Sequence, residues 1–189
     1  GGEEISGETR RATGLGKRGT CFACPTRCKR EVRIGEPWNV DPQYGGPEYE
    51  TLGAFGSLCG VNDLGAISRA NQICNQYGMD TISAGVSVAF AMECFEKGII
   101  TEEDTDGVVA KFGSVDAFAA LAKKIAFREG IGDLLAQGVR KASKKIRQGT
   151  DRFDIQVNGM EWSSYESRGA PATMLASHTS DRRPPPPRA

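Results

Sequence analysis

Residues 81–98, "TISAGVSVAFAMECFEKG", constrain the fold more than any other stretch of the chain. Ile82, Val86, Ala89, Phe90 and Met92 recur at helical spacing, and the residues between them leave little polar face. A helix that is apolar nearly all round has to be covered nearly all round. This segment, started by Thr81 or Ser83 and ended by Gly98, is therefore expected at the centre of a helical core.

The flanking sequence offers the helices to cover it. Residues 48–58 follow a Gly-Gly-Pro turn, with Pro47 suited to a first helical position. Asp63 can cap a helix to Tyr77, with Leu64, Ile67, Cys74 and Tyr77 on one stripe and Gly78 as its stop. "TEEDT" (101–105) carries acids where the first turn of a helix favours them. Ser114 opens a helix that turns Val115, Phe118, Ala122 and Ile125 inward and closes at Gly130. A last helix, 131–146, uses Leu134, Leu135, Val139, Ala142 and Ile146. After Gly149 the rhythm changes. "RFDIQVNGMEW" alternates like a short strand and turns at Asn158-Gly159. The pattern predicts an all-α, multihelical fold over 1–150 and a second, irregular region over 151–189.

The chemistry is concentrated in "TCFACPTRCKR", residues 20–30. Cys21, Cys24 and Cys28 have the spacing C-x2-C-x3-C, and thiolates at that density hold zinc or an iron–sulfur cluster. Zinc sites commonly use two separated pairs, and no second pair follows here. One loop giving three corners, with the fourth thiol from far away, favours a [4Fe–4S] cluster. Cys59, Cys74 and Cys94 are candidates for that fourth corner, but cysteines in apolar helices are usually small buried side chains. Lys17, Arg18, Arg27, Lys29, Arg30 and Arg33 surround the loop. They are either a field favouring a negative cluster and an acidic electron-transfer partner, or a solvated surface.

Bulk composition narrows the partners. The chain of 189 residues has a formal charge of +0, with 25% charged and 39% hydrophobic residues. No basic excess exists to neutralise phosphates, which argues against nucleic acid. No apolar run approaches the roughly 20 residues of a membrane helix, and no signal peptide is present. Closely spaced free thiols fit the reducing cytosol. The chain begins Gly-Gly and stops just after "DRRPPPPRA", so a piece of a larger polypeptide is expected.

Four stretches, in order, resemble one family, the tungsten- or molybdenum-dependent aldehyde ferredoxin oxidoreductases. They are "CFACPTRCKR", "GGPEYETLGAFGSLCGVNDL", "ANQICNQYGMDTISAGVSVAFAMECFEKGIIT" and "KIAFREGIGDLLAQGVRKASKKI". The resemblance spans nearly the whole chain and implies the fold of that family's domains 2 and 3. Residues 1–150 then match the middle helical domain, and 151–189 the start of the C-terminal domain. The family's β-rich first domain is not matched.

The resemblance also implies roles. Cys21, Cys24 and Cys28 would bind a [4Fe–4S] cluster whose fourth thiol comes from a late D-x-x-G-L-C segment, beyond Ala189. Asn75, Gly78, Met79 and Asp80 match an earlier D-x-x-G-L-D segment that holds a tungstopterin (or molybdopterin). Asn75 keeps an acceptor oxygen but loses the family's charge, and Met79 conserves volume. Without the family, Asn75 and Gly78 read as an ordinary helix terminus. Glu50 matches a carboxylate near the metal and would transfer protons; its other reading is a solvent-facing first-turn glutamate.

Arg69-Ala70-Asn71-Gln72 replaces a Glu-x-x-His that binds an intersubunit metal in some members, so no such site is expected. The family's late histidine is not matched either: "DRRPPPPRA" stands there, and His178 falls several residues too early. The implied reaction is oxidation of a small aldehyde to a carboxylic acid, with electrons leaving through the cluster to ferredoxin. Related reductases of activated aromatic acids share the scaffold, and a non-enzymatic zinc- or cluster-binding helical module is the reading outside the family. A homodimer is one arrangement open to the full-length protein.

Overall fold

The first two strands among the described residues form a hairpin. Strands β1 (Leu15–Arg18) and β2 (Arg30–Val32) pair antiparallel, Leu15 opposite Val32 and Arg18 opposite Arg30, with a register shift between the two pairs. The computed structural model describes residues 3, 5, 15–164, 167–169, 171, 172, 175 and 179, so His178 and residues 181–189 lie outside it. A 3-10 turn, Pro42–Tyr44, follows, with the Asp41 side chain accepting the Gln43 N–H.

The helices then come in sequence. Helix α1 (Tyr49–Thr51) runs directly into a π-helical turn over Leu52–Ser57. Helix α2 (Leu64–Tyr77) begins where Asp63 accepts the Ala66 N–H and ends at Gly78 in the left-handed region. Helix α3 (Thr81–Glu96) begins at Asp80, which accepts the Ser83 N–H. Helix α4 (Val115–Phe127) is capped by Ser114, which accepts from Ala117. Helices α5 (Ile131–Leu135) and α6 (Val139–Ile146) follow, then the short hairpin of β3 (Gln156–Val157) and β4 (Met160–Glu161).

Helix α3 occupies the centre, as its composition requires. Ile82, Val86, Val88, Phe90 and Met92 are all buried, on every side of the helix. The π turn, α2, α4, α5, α6 and β4 pack around it. Phe55 meets Phe118 edge to face at 5.3 Å, and neither ring reaches solvent. Truncating such a ring costs about 3–5 kcal/mol. Phe153 leans on Phe90 at 5.6 Å, so the segment after residue 150 folds back onto this core. No helix among the described residues is long and apolar enough to cross a membrane.

Three local expectations are corrected. Residues 48–58 are not a regular α-helix. One turn widens into the π form, in which the Leu58 N–H donates to the Gly53 carbonyl. "TEEDT" forms turns rather than a helix start, because Thr105 is buried and its hydroxyl engages the carbonyls of Thr101, Glu102 and Val108. The expected helix 131–146 is broken into two at Gly138, where φ is 86°, and the buried Glu161 carboxylate accepts the Val139 N–H that restarts it. The central helix begins at Thr81, one of the two expected starts, with Asp80 as its cap.

Candidate functional site

The β1–β2 hairpin presents the cysteines. The Gly19 N–H donates to the Lys29 carbonyl at 3.0 Å, which prolongs the ladder and closes residues 20–28 into a loop. Thr20 organises its start, its hydroxyl donating to the carbonyls of Cys21 at 3.0 Å and Cys24 at 2.7 Å. Arg30 organises its end, donating to the Cys28 carbonyl at 2.6 Å and the Lys29 carbonyl at 3.2 Å. One member of the basic group is thus a loop brace, whereas Lys17, Arg18, Arg27 and Arg33 are exposed.

Cys21 and Cys28 are exposed, Cys24 is half-buried, and none is in a disulfide. The Thr26 N–H, followed by its hydroxyl, holds the Cys24 thiol below the usual cysteine range. The thiolate is the form a metal takes, and three cysteines outside any disulfide supply that donor set in kind. In geometry the three sulfurs have not converged, since no group of three metal-binding side chains gathers among the described residues.

The three remaining cysteines belong to the core. Burial drives the Cys59 thiol far up, and its sulfur donates to the carbonyls of Ala54 and Gly85. Burial also pushes Cys74 and Cys94 up to about 12, with smaller contributions from Asp80 and Glu93 respectively. All three are neutral thiols shielded from ligands, which agrees with the packing reading of these positions.

The cysteine hairpin is tied to α2 by a run of hydrogen bonds. The Arg30 carbonyl accepts the Gly46 N–H at 2.6 Å. Asn71 donates to the Gly45 carbonyl at 3.2 Å, and Asn75 to the Tyr44 carbonyl at 3.2 Å. Gln72 accepts the Asp41 N–H at 2.8 Å. Asn71 and Gln72 are buried by this work, in the stretch that carries Glu-x-x-His in some members of the resembled family. Asn75 also bonds back to the Asn71 carbonyl at 3.0 Å, so it braces the helix end against the 41–46 loop.

At that end Gly78 adopts φ 68° and ψ 34°, a conformation that a side chain resists. The Met79 N–H reaches back to the Cys74 carbonyl at 2.8 Å, the 6→1 bond of a Schellman motif. The chain then reverses so that Asp80 caps α3 through Oδ1, at 2.7 Å from the Ser83 nitrogen, while remaining exposed. Met79 and Asp80 border a cleft of about 320 Å³, with Ser83 and Ser87 on its α3 wall and Arg128 and Gly138 opposite. Polar donors beside an exposed carboxylate, with room next to them, fit a flat heterocycle such as a pterin.

Glu50 lies elsewhere on the same core. It is half-buried rather than solvent-facing, and its Oε2 accepts the Ser164 N–H at 2.8 Å. Tyr49 donates to the Ser164 carbonyl at 3.2 Å. The neighbouring Thr51 hydroxyl meets that of Thr81 at 2.9 Å, which links the Glu50 helix to the residue after Asp80. Sequence reasoning missed Tyr49, Ser164, the Thr51–Thr81 pair and the cleft residues Ser83, Ser87 and Arg128. The partners of Tyr49 and Thr51 are distant in the chain, and no local pattern marks the cleft residues as a site.

The family described as "Aldehyde ferredoxin oxidoreductase, domains 2 & 3" matches residues 1–184. A tungsten-containing aldehyde ferredoxin oxidoreductase of Pyrococcus abyssi is 40% identical over 185 residues, covering 95% of this chain and 29% of that protein. The Pyrococcus horikoshii protein of the same name gives the same identity and coverage. An aliphatic sulfonate oxidoreductase, WOR-like subunit, of Pyrococcus furiosus is 31% identical over 74% of this chain and 23% of its own length. Among solved structures, the active site complex BamBC of benzoyl coenzyme A reductase, with 1,5-dienoyl-CoA, matches with a TM-score of 0.74 and 25% identity. That match covers 93% of this chain and 26% of the other. The chain thus spans under a third of the length of these relatives.

Proposed function

The chain belongs to the aldehyde ferredoxin oxidoreductase family, and from that premise we propose that it is the cluster- and pterin-carrying part of a cytoplasmic enzyme that oxidises aldehydes. The overall change is RCHO + H2O → RCOOH + 2 H⁺ + 2 e⁻, with ferredoxin taking the electrons one at a time. A tungsten (or molybdenum) bis-pterin supplies the two-electron redox chemistry when bound. Cys21, Cys24 and Cys28 would hold a [4Fe–4S] cluster, with the fourth thiol from the late D-x-x-G-L-C segment.

The protein's own part is placement and proton handling. Asp80, Met79 and Gly78 would grip the pterin edge, with Asn75 holding the end of α2 in place behind them. Glu50 would take or give the proton released as water adds to the carbonyl. Lys17, Arg18, Arg27 and Arg33 leave an exposed positive rim around the cysteine loop, suited to an acidic electron carrier. The boundary near residue 150 separates the middle domain from the start of the next in this reading.

The observation that carries the proposal is the hydrogen-bonded run from Arg30 through Gly46 and Gly45 to Asn71 and Asn75. It joins a thiol loop suited to a cluster to a helix end suited to a pterin, and little other than electron transfer calls for that pairing. The likeness to a benzoyl coenzyme A reductase complex supports a second reading, in which the same scaffold reduces activated aromatic acids.

The test uses the full-length protein grown with tungstate. Tungsten, iron and aldehyde-dependent dye reduction are expected together, and Cys24→Ser is expected to lower iron content and dye reduction. Zinc in place of iron, with no brown absorbance, would sink the redox reading. Dye reduction with activated aromatic substrates but no aldehyde would favour the second.

A further inference from the structure

Glu50 is oriented from outside its own helix. Its Oε2 takes the main-chain N–H of Ser164 at 2.8 Å. The carbonyl of the same residue takes the Tyr49 hydroxyl at 3.2 Å. Gly53 makes the approach feasible. A Cβ at that position would collide with the Ser164 Cβ and stand 2.6 Å from its Oγ, closer than a side chain tolerates. Tyr49 and Glu50 therefore grip both main-chain polar groups of Ser164, and Gly53 leaves it space.

We propose that Tyr49, Gly53 and Ser164 are positioning residues that fix the direction of the Glu50 carboxylate. The inference rests on the proton-transfer role given to Glu50 above. A main-chain donor suits this task because it has no side-chain rotamer to lose and cannot swing aside. Tyr49 contributes by restraining the residue whose N–H is the donor, so the bond stays aimed at Oε2. The π-helical turn at Leu52–Ser57 displaces this helix just after Thr51, and π turns are frequent at functional sites.

The experiment compares Tyr49→Phe, Gly53→Ala and Glu50→Gln in the full-length holoenzyme. It reads kcat and KM separately, with amide hydrogen exchange at Ser164 as a readout independent of turnover. Glu50→Gln should lower kcat by on the order of a hundredfold. Gly53→Ala leaves the carboxylate misaimed, so it should act on turnover rather than on substrate binding. It should lower kcat several-fold with KM nearly unchanged, and speed Ser164 amide exchange at least tenfold. Tyr49→Phe, an exposed and conservative change, should move the same readings in the same direction by less, and it carries the test if Gly53→Ala does not fold. An unchanged kcat in both variants, with faster exchange, overturns the inference and leaves the Glu50 reading standing. Full activity in Glu50→Gln overturns both.

Discussion

The hydroxyls of Thr51 and Thr81 meet at 2.9 Å, and each stands next to a carboxylate of the proposed site, Glu50 on one side and Asp80 on the other. Thr51 is buried, and Thr81 begins the central helix. The contact therefore sets the spacing of the two acidic residues through the backbone.

Replacing either threonine by valine is expected to destabilise the protein by about 1 kcal/mol, since a buried hydroxyl is left without its partner. The double replacement should cost less than the sum, with a coupling of about 0.5–1 kcal/mol. Urea unfolding of the four proteins in the cycle measures this. Strict additivity would mean that the hydroxyls do not interact.

The capping of α3 by Asp80 can be separated from its proposed grip on the pterin. Asp80→Ala removes the cap of α3 and should cost about 1 kcal/mol. Asp80→Ser keeps a capping oxygen and should stay within a few tenths of the parent. Both variants should lose pterin from the full-length enzyme, measured as the fluorescent oxidised pterin released on denaturation. Retained pterin in Asp80→Ser would confine the residue to capping.

Asp106 provides a pH test far from the site. Lys124 hydrogen-bonds its carboxylate at 2.8 Å, and that bond, helped by the Lys124 charge and the Ile131 N–H, holds the Asp106 carboxyl below its ordinary value. A depressed folded value means stability that is present above the unfolded value, roughly 3.9, and lost as pH falls through the folded one. Asp106→Asn should therefore be less stable than the parent at neutral pH, and the gap should close as pH falls below about 4. Urea midpoints between neutral and strongly acidic pH show the trend. A gap that persists in acid would assign the effect to packing at Gly130 instead.

Most helix limits were readable because their signals are local. Asp63, Ser114 and Gly78 act on N–H and carbonyl groups within five residues of themselves, and the Asn158-Gly159 turn closes its own hairpin. The central place of residues 81–96 followed from composition alone, because a helix with no polar face has nowhere else to go.

What the tertiary structure decided lay in contacts between distant residues. Glu161 breaks the helix that 131–146 would otherwise continue, by taking the Val139 N–H from outside. Asn75 looked like a routine helix-end residue, and only folding brought the Tyr44 carbonyl to it. Glu50 carried no local sign that Ser164 would meet it. Capping and periodicity are properties of a few neighbouring residues and survive in the sequence. Which carboxylate meets which amide depends on the packing of the whole core, because only there do residues far apart in the chain come within hydrogen-bonding distance.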